Sequence, residues 1–119
     1  MSPKLINAEI LEALKGLQMD GQPNIIVELI NTFFETSEAN IQNIQKYYSG
    51  GQYEDVSREA HALKSGARTL GAEILGNCCQ SIEDLFRNRN DITQTEAELI
   101  PKLESIYTQT CNELKKFLS

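Results

Sequence analysis

The sequence predicts an all-α domain, an antiparallel up-down four-helix bundle with an additional N-terminal helix. Apolar residues recur at spacings of three and four along nearly the whole chain, and no segment has the alternating pattern of a strand. Short polar or glycine-containing segments separate the periodic stretches, which favours antiparallel neighbours. The 119 residues, 40% hydrophobic and 24% charged, fit a single domain over residues 1–119.

The first two helices are predicted at residues 7–18 and from residue 23 to about 48. Asn7 can cap the first helix, and Asp20-Gly21-Gln22 interrupts the pattern after it. Pro23 suits the first turn of the second helix, which Gly50-Gly51 ends. The predicted inward residues are Ile10, Leu11, Leu14 and Leu17, then Ile26, Ile30, Phe33, Ser37, Ile41, Ile44 and Tyr48.

Two further helices are predicted at residues 53–70 and 72–87, with a break near Gly71 between them. A polar segment at residues 88–91 then predicts a loop. The inward residues of this helix pair are Val56, Ala60, Leu63, Ala67 and Leu70, then Leu75, Cys78 or Cys79, Ile82 and Phe86.

The last helix is predicted to begin between Thr93 and Thr95 and to run to about Phe117. Thr93 and Glu96 have the spacing of a capping box. Pro101 interrupts this helix, which therefore either begins later or bends there. Its inward residues are Leu99, Leu103, Ile106, Thr110, Leu114 and Phe117.

The charge balance narrows the functional classes. Eleven basic and seventeen acidic residues give a net charge of −6, which argues against binding nucleic acid or an anionic membrane. No apolar run is long enough to span a bilayer, and the first residues lack a signal-peptide pattern, so we expect a cytoplasmic protein. The three cysteines are then expected to be reduced, and their spacing fits no zinc site.

His61 is the only histidine and the best candidate for chemistry. Residues three, four and seven positions on share its face of the helix: Lys64, Ser65 and Arg68. Because Leu63 and its periodic partners face the core, His61 and these neighbours are expected to face solvent. An exposed imidazole flanked by two cations suits a phosphoryl group. Gly66 in mid-helix costs up to about 1 kcal/mol relative to Ala, which suggests a steric reason for a small residue.

Residues 60–72, AHALKSGARTLGA, resemble the signature of histidine-containing phosphotransfer (HPt) domains. The following helix, with Leu75, Cys79, Ile82 and Glu83, is similar to the family pattern, as are Leu29 and Phe33-Phe34 upstream. The match departs at residue 65, a serine where glycine is commonest, and at Arg68, a variable position.

The resemblance implies a phosphorelay intermediate. His61 would accept a phosphoryl group through Nε2 from a phosphoaspartyl receiver domain or a kinase and pass it to another receiver. Lys64 and Arg68 would stabilise the phosphoryl oxygens, and Glu83 would accept a hydrogen bond from Nδ1 of His61. Such a carrier binds no ATP and needs no cofactor of its own, because Mg²⁺ is expected on the receiver.

The partners expected from this resemblance are response-regulator receivers and hybrid histidine kinases, bound by a monomer. Small side chains at Ser65 and Gly66 would leave room for them. Leu11, Leu14 and Ile25 are weaker candidates for a docking surface. An alternative function is a non-catalytic adaptor or inhibitor that binds a kinase or receiver, although such proteins lack the histidine. A metal or haem bundle has little support, because it needs several convergent ligands.

Overall fold

The computed structural model describes residues 2–118, which contain six helical segments and no strand. These are α1 Ala8–Lys15, α2 Ile25–Ser49, α3 Tyr53–Thr69, α4 Glu73–Phe86, α5 Gln94–Ala97 and α6 Leu99–Lys115. α3 packs between α2 and α4, and α6 closes the bundle against the same two helices, so α3 and α6 are diagonal. α1 lies against α2. The predicted four-helix bundle with an additional N-terminal helix is confirmed, and α5 is one extra helical turn.

The core lies between the apolar faces of the four long helices. Every inward residue predicted for α3 and α4 is buried, and so is every one for α2 except the partly buried Tyr48. On α6, Ile100 and Tyr107 are buried in addition to Leu103 and Leu114. Tyr107 can be buried because its hydroxyl lies 2.7 Å from that of Ser37 on α2, a hydrogen bond that satisfies both groups.

The ends of α1 and α2 differ from the prediction. Asn7 caps α1 as expected, accepting a hydrogen bond from the amide of Glu9, but the helix ends at Lys15. Leu17 therefore lies outside it and is 64% exposed. Pro23 is not in the first turn of α2, because Asn24 caps that helix. The Asn24 side chain accepts hydrogen bonds from the amides of Ile26 and Val27.

The capping box of Thr93 and Glu96 is present, but the helix it begins ends at Ala97. The long helix α6 then begins at Leu99, so Pro101 lies in its first turn. A proline is tolerated there because the first amides of a helix have no partner within the helix. Of the two alternatives for Pro101, the later start is the one observed.

The segment before α1 crosses the turn between α3 and α4. The amide of Asn7 donates to the carbonyl of Gly71 (2.8 Å), and the amide of Ile74 donates to the carbonyl of Lys4 (3.0 Å). The carboxylate of Glu73 accepts hydrogen bonds from the Lys4 amide and the Asn7 side chain. Because Ala72 offers α4 no side-chain cap, the Lys4 carbonyl takes the place of one.

Gly71 is required where this crossing is closest. Its φ is +75°, and a Cβ there would lie 2.9 Å from the Asn7 carbonyl oxygen. Both the backbone conformation and the space therefore favour glycine. The turn that joins α3 to α4 consequently depends on a residue without a side chain.

Candidate functional site

His61 lies on the outward face of α3. The buried residues of this helix, including Ala60 and Leu63, fill the face toward the core, and the imidazole is 60% exposed. The sequence prediction of an outward histidine is confirmed. The ring is open to a second protein without any rearrangement of the bundle.

Glu83 on α4 lies beside the imidazole and is almost entirely buried. Its Oε2 is 3.0 Å from Nδ1 of His61, so the predicted contact is present. The two helices are also joined here by the Ser57 hydroxyl, which donates to the Glu83 carbonyl at 2.8 Å. An ionised carboxylate only accepts hydrogen bonds, so Nδ1 of the neutral ring carries the proton. Nε2 is then the nitrogen with a free lone pair.

Lys64 binds the other oxygen of the same carboxylate. Its Nζ is 2.6 Å from Oε1 of Glu83 and 2.9 Å from Oε1 of Gln80, and its side chain is only 12% exposed. The expectation that Lys64 faces solvent was wrong, because its long side chain crosses from α3 to α4. A nearly buried ammonium requires such a counterion.

Arg87 is a member of the site that the sequence analysis missed. Its Nη2 is 2.7 Å from Oε2 of Glu83, and half of its side chain is exposed. The signal for it was the spacing: Arg87 is four residues after Glu83, a distance that places side chains on one helical face. A guanidinium has five N–H donors, so the contact with Glu83 leaves others for a ligand.

The charges around Glu83 keep it ionised. Burial raises the pKa of this carboxyl group, but the hydrogen bonds from Lys64 and His61 and the positive charge of Lys64 lower it below its usual value. The carboxylate, the ammonium and the guanidinium together carry one positive charge in excess. The surroundings of the imidazole therefore suit an incoming anion.

Arg68 lies apart from this group. It is seven residues beyond His61, which is about 10 Å along the helix axis. Its aliphatic stem crosses α4 at Gly76, where an added Cβ would lie 3.0 Å from Cγ of Arg68. The structure thus brings His61, Lys64 and Glu83 together, and it does not bring Arg68 to them.

Ser65 and Gly66 have different surroundings. Ser65 is exposed one turn beyond His61, and its hydroxyl donates to the His61 carbonyl. Gly66 instead faces α2, where an added Cβ would lie 3.3 Å from Cδ1 of Phe33. Packing between α2 and α3 thus gives a reason for the small residue at Gly66.

The predicted docking residues are not equally available. Leu11 is completely buried in the core, so a partner cannot contact it. Leu14 and Ile25 are partly buried. The large apolar residues that are exposed in this region are Ile10, Leu17 and Met19.

Residues 2–118 give little indication of a reactive cysteine or a metal site. Cys78 and Cys79 are buried and Cys111 is partly buried. Burial is the main reason why the pKa of Cys79 rises to about 12, which leaves it a neutral thiol. In this described part no three His, Cys, Asp or Glu side chains converge as metal ligands. No helix in it is long and apolar enough to cross a membrane.

Comparisons with known proteins place the chain in a family. The model of the Hpt domain matches residues 28–116. Histidine-containing phosphotransfer protein 2 of Arabidopsis thaliana is 28% identical over 80 residues, which are 65% of this chain and 51% of the relative. The chain thus spans about half the length of that curated relative.

Two solved structures share the fold. Histidine-containing phosphotransfer protein B (HptB) of Pseudomonas aeruginosa PAO1 has a TM-score of 0.81 at 22% identity, covering 97% of this chain and 95% of that chain. MtHPt2 of Medicago truncatula, a histidine-containing phosphotransfer protein, has a TM-score of 0.80 at 21% identity, covering 96% and 77%.

Proposed function

The chain belongs to the Hpt domain family, and we propose that it is a phosphorelay intermediate in two-component signalling. His61 accepts a phosphoryl group from the phosphoaspartate of a receiver domain, or from a kinase, and passes it to another receiver. The observation that carries the proposal is the exposed imidazole whose Nδ1 is bound by a buried, ionised Glu83. This contact leaves Nε2 free to act as the nucleophile.

The transfer step is an in-line displacement at phosphorus. The lone pair of Nε2 of His61 forms the N–P bond while the P–O bond to the aspartyl carboxyl group breaks, and the carboxylate leaves with that electron pair. The ring gains positive charge as the bond forms. The carboxylate of Glu83 lies 3.0 Å from Nδ1 and stabilises this charge without removing the Nδ1 proton. Transfer to the next receiver is the same step reversed.

Lys64 and Arg87 have separate roles in this proposal. Lys64 is a positioning residue: nearly buried and bound to both Glu83 and Gln80, it fixes the carboxylate that orients the imidazole. Arg87 contacts the same carboxylate but is half exposed. Its guanidinium keeps N–H donors that Glu83 does not use, so we assign to Arg87 the charge-stabilising role that the sequence analysis gave to Lys64 and Arg68.

The partners follow from this chemistry. Receiver domains and a hybrid histidine kinase bind around His61, and the receiver supplies Mg²⁺ with its acidic pocket. The chain itself needs no cofactor and binds neither nucleic acid nor membrane, consistent with its net charge of −6. It acts in the cytoplasm as a monomer. Size-exclusion chromatography with light scattering tests the last point.

The proposal is tested by incubation with receiver domains that carry a radiolabelled aspartyl phosphate. Wild-type protein should become labelled, and the label should be labile in acid and stable in base, as expected for phosphohistidine. His61→Gln should remain helical by circular dichroism, because the side chain is mostly exposed, and should take up no label. Lys102→Gln, a loss of charge on the diagonal helix α6, serves as the control. Labelling of His61→Gln at the wild-type rate contradicts the proposal, because another residue would then accept the phosphoryl group. Wild-type protein that takes up no label from any receiver favours a non-catalytic adaptor.

A further inference from the structure

Among residues 2–118, α3 and the residue that follows α4 carry four cations, Arg58, Lys64, Arg68 and Arg87, and three of them have a carboxylate partner within the chain. Arg58 pairs with Asp55, and Lys64 and Arg87 both pair with Glu83. Arg68 is exposed, and within residues 2–118 its side chain makes neither an ion pair nor a hydrogen bond. Its charge is therefore available to a second molecule.

Gly76 determines the position of Arg68. The antiparallel helices α3 and α4 bring His61 level with Glu83, Lys64 with Gln80, and, one further turn along, Arg68 with Gly76. An added Cβ at Gly76 would lie 3.0 Å from Cγ and 3.2 Å from Nε of Arg68. Without that Cβ, the stem of Arg68 packs directly on the α4 backbone and buries Gly76. This packing restricts the rotamers of an otherwise flexible side chain.

The distance from His61 assigns Arg68 to docking and not to chemistry. Arg68 is about 10 Å from His61 along α3, and its stem extends across α4 instead of back toward the imidazole. A standard protein interface buries about 800 Å² on each partner, roughly a disc of 16 Å radius. A receiver centred on His61 therefore covers Arg68, whose stem packs against α4 at Gly76.

We infer that Arg68, held against Gly76, is a specificity-determining residue that pairs with a carboxylate on the surface of the receiver domain. The inference rests on the proposed function. A guanidinium pairs with a carboxylate through two parallel hydrogen bonds. Because its stem is already ordered, Arg68 loses less conformational entropy when the receiver docks. In a chain with a net charge of −6, this cation also reduces the repulsion of an acidic partner.

The test compares transfer from a phosphorylated receiver with labelling by phosphoramidate, a small donor that needs no docking. Arg68→Gln should lower kcat/KM for the receiver about three- to fivefold at low ionic strength, and the difference should shrink as salt is added. Labelling by phosphoramidate should change less than twofold. Lys102→Gln removes the same charge from α6, the helix diagonal to α3, and should transfer like wild type.

Two further variants separate docking from structure. Gly76→Ala should slow receiver transfer in the same direction, because the new Cβ displaces the stem of Arg68, while thermal stability stays equal or rises with the better helix former. Arg68→Glu should be rescued by a receiver in which one surface carboxylate is replaced by lysine. Such a rescue identifies the partner of Arg68.

The possible failures are distinguishable. Wild-type protein that no phosphorylated receiver can label overturns the proposed function and this inference together. Normal transfer by Arg68→Gln at every salt concentration, with labelled wild type, overturns the inference alone. Equal losses with the receiver and with phosphoramidate also overturn it, because Arg68 would then act on the phosphoryl group.

Discussion

Replacing Glu83 with glutamine removes the charge that three side chains share while keeping the shape of the residue. The carboxylate accepts hydrogen bonds from Lys64 at 2.6 Å, Arg87 at 2.7 Å and Nδ1 of His61 at 3.0 Å. A glutamine side chain offers one acceptor oxygen and one NH₂ donor in their place. At least one of the three donors therefore loses its acceptor and faces another donor.

Most of the loss in stability is expected to come from Lys64, which loses its carboxylate partner. Removing one partner of a buried ion pair costs about 3–5 kcal/mol. Lys64 keeps its contact with Gln80 and is 12% exposed, and Arg87 can turn to water at little cost. We therefore expect Glu83→Gln to lower the free energy of unfolding by about 2–3 kcal/mol at pH 7. Receiver-to-His61 transfer should slow about tenfold or more, because the imidazole loses the group that orients it.

The assay is urea unfolding followed by far-UV circular dichroism, repeated from neutral to acidic pH. The pKa of Glu83 is below its usual value of 4.5 in the folded protein, so its contribution to stability is complete above that pH and is lost as pH falls through the folded-state pKa. The difference between wild type and Glu83→Gln should consequently shrink below about pH 4.5.

A matched control exists on α3. Among the described residues 2–118, Glu59 accepts side-chain hydrogen bonds only from the neutral Asn40 and Asn43. Glu59→Gln therefore leaves no cation of this part without a partner and should cost clearly less than Glu83→Gln. The double variant Glu83→Gln with Lys64→Met should recover most of the lost stability but not the transfer rate. If Glu83→Gln proves as stable as Glu59→Gln, the carboxylate does not stabilise Lys64 and the reasoning fails.

Three other predictions follow from the packing. Leu63→Ala should lower the free energy of unfolding by about 2–5 kcal/mol because Leu63 is 1% exposed; in urea unfolding, a loss under about 0.5 kcal/mol would contradict its place in the core. Ser65→Gln should slow transfer from a receiver but leave phosphoramidate labelling nearly normal, because a long side chain there blocks in-line approach; equal losses with both donors would refute this. Gly71→Ala should lower the melting temperature more than Gly21→Ala: both have positive φ, but only at Gly71 does the new Cβ meet backbone. Equal decreases in melting temperature would show that the positive φ alone, and not the contact of the new Cβ with the backbone, causes the loss.

Periodicity predicted most of the fold because the core of a helical bundle is a local pattern. The inward residues of α2, α3 and α4 follow from apolar spacings of three and four, and the structure buries almost all of these residues in the core. Helix ends were harder because they depend on competition between neighbours. At the start of α2, the Asn24 side chain caps the helix, so Pro23 lies before its first turn. The pattern of apolar residues does not distinguish these two possible starts.

The site was predicted in part for a related reason. A helical wheel places His61 and Lys64 on one face of α3, but it does not show how far a long side chain reaches toward α4. Lys64 was therefore assigned to solvent, whereas it lies against Glu83. Arg87 was missed because its role depends on Glu83 being buried, which the position of α4 against α3 decides. Leu11 was offered as a docking residue because an amphipathic helix does not reveal which element covers its apolar side.

The residues ahead of α1 are hydrogen-bonded to the first turn of α4, the helix that carries Glu83. The amide of Ile74, in the first turn of α4, has the Lys4 carbonyl as its acceptor, so its protection against hydrogen exchange depends on that segment staying in place. Deuterium uptake at this one amide would measure how often the segment detaches. A fusion partner joined ahead of Lys4 would raise that uptake if it pulls the segment away, because the Ile74 amide would then lose its acceptor.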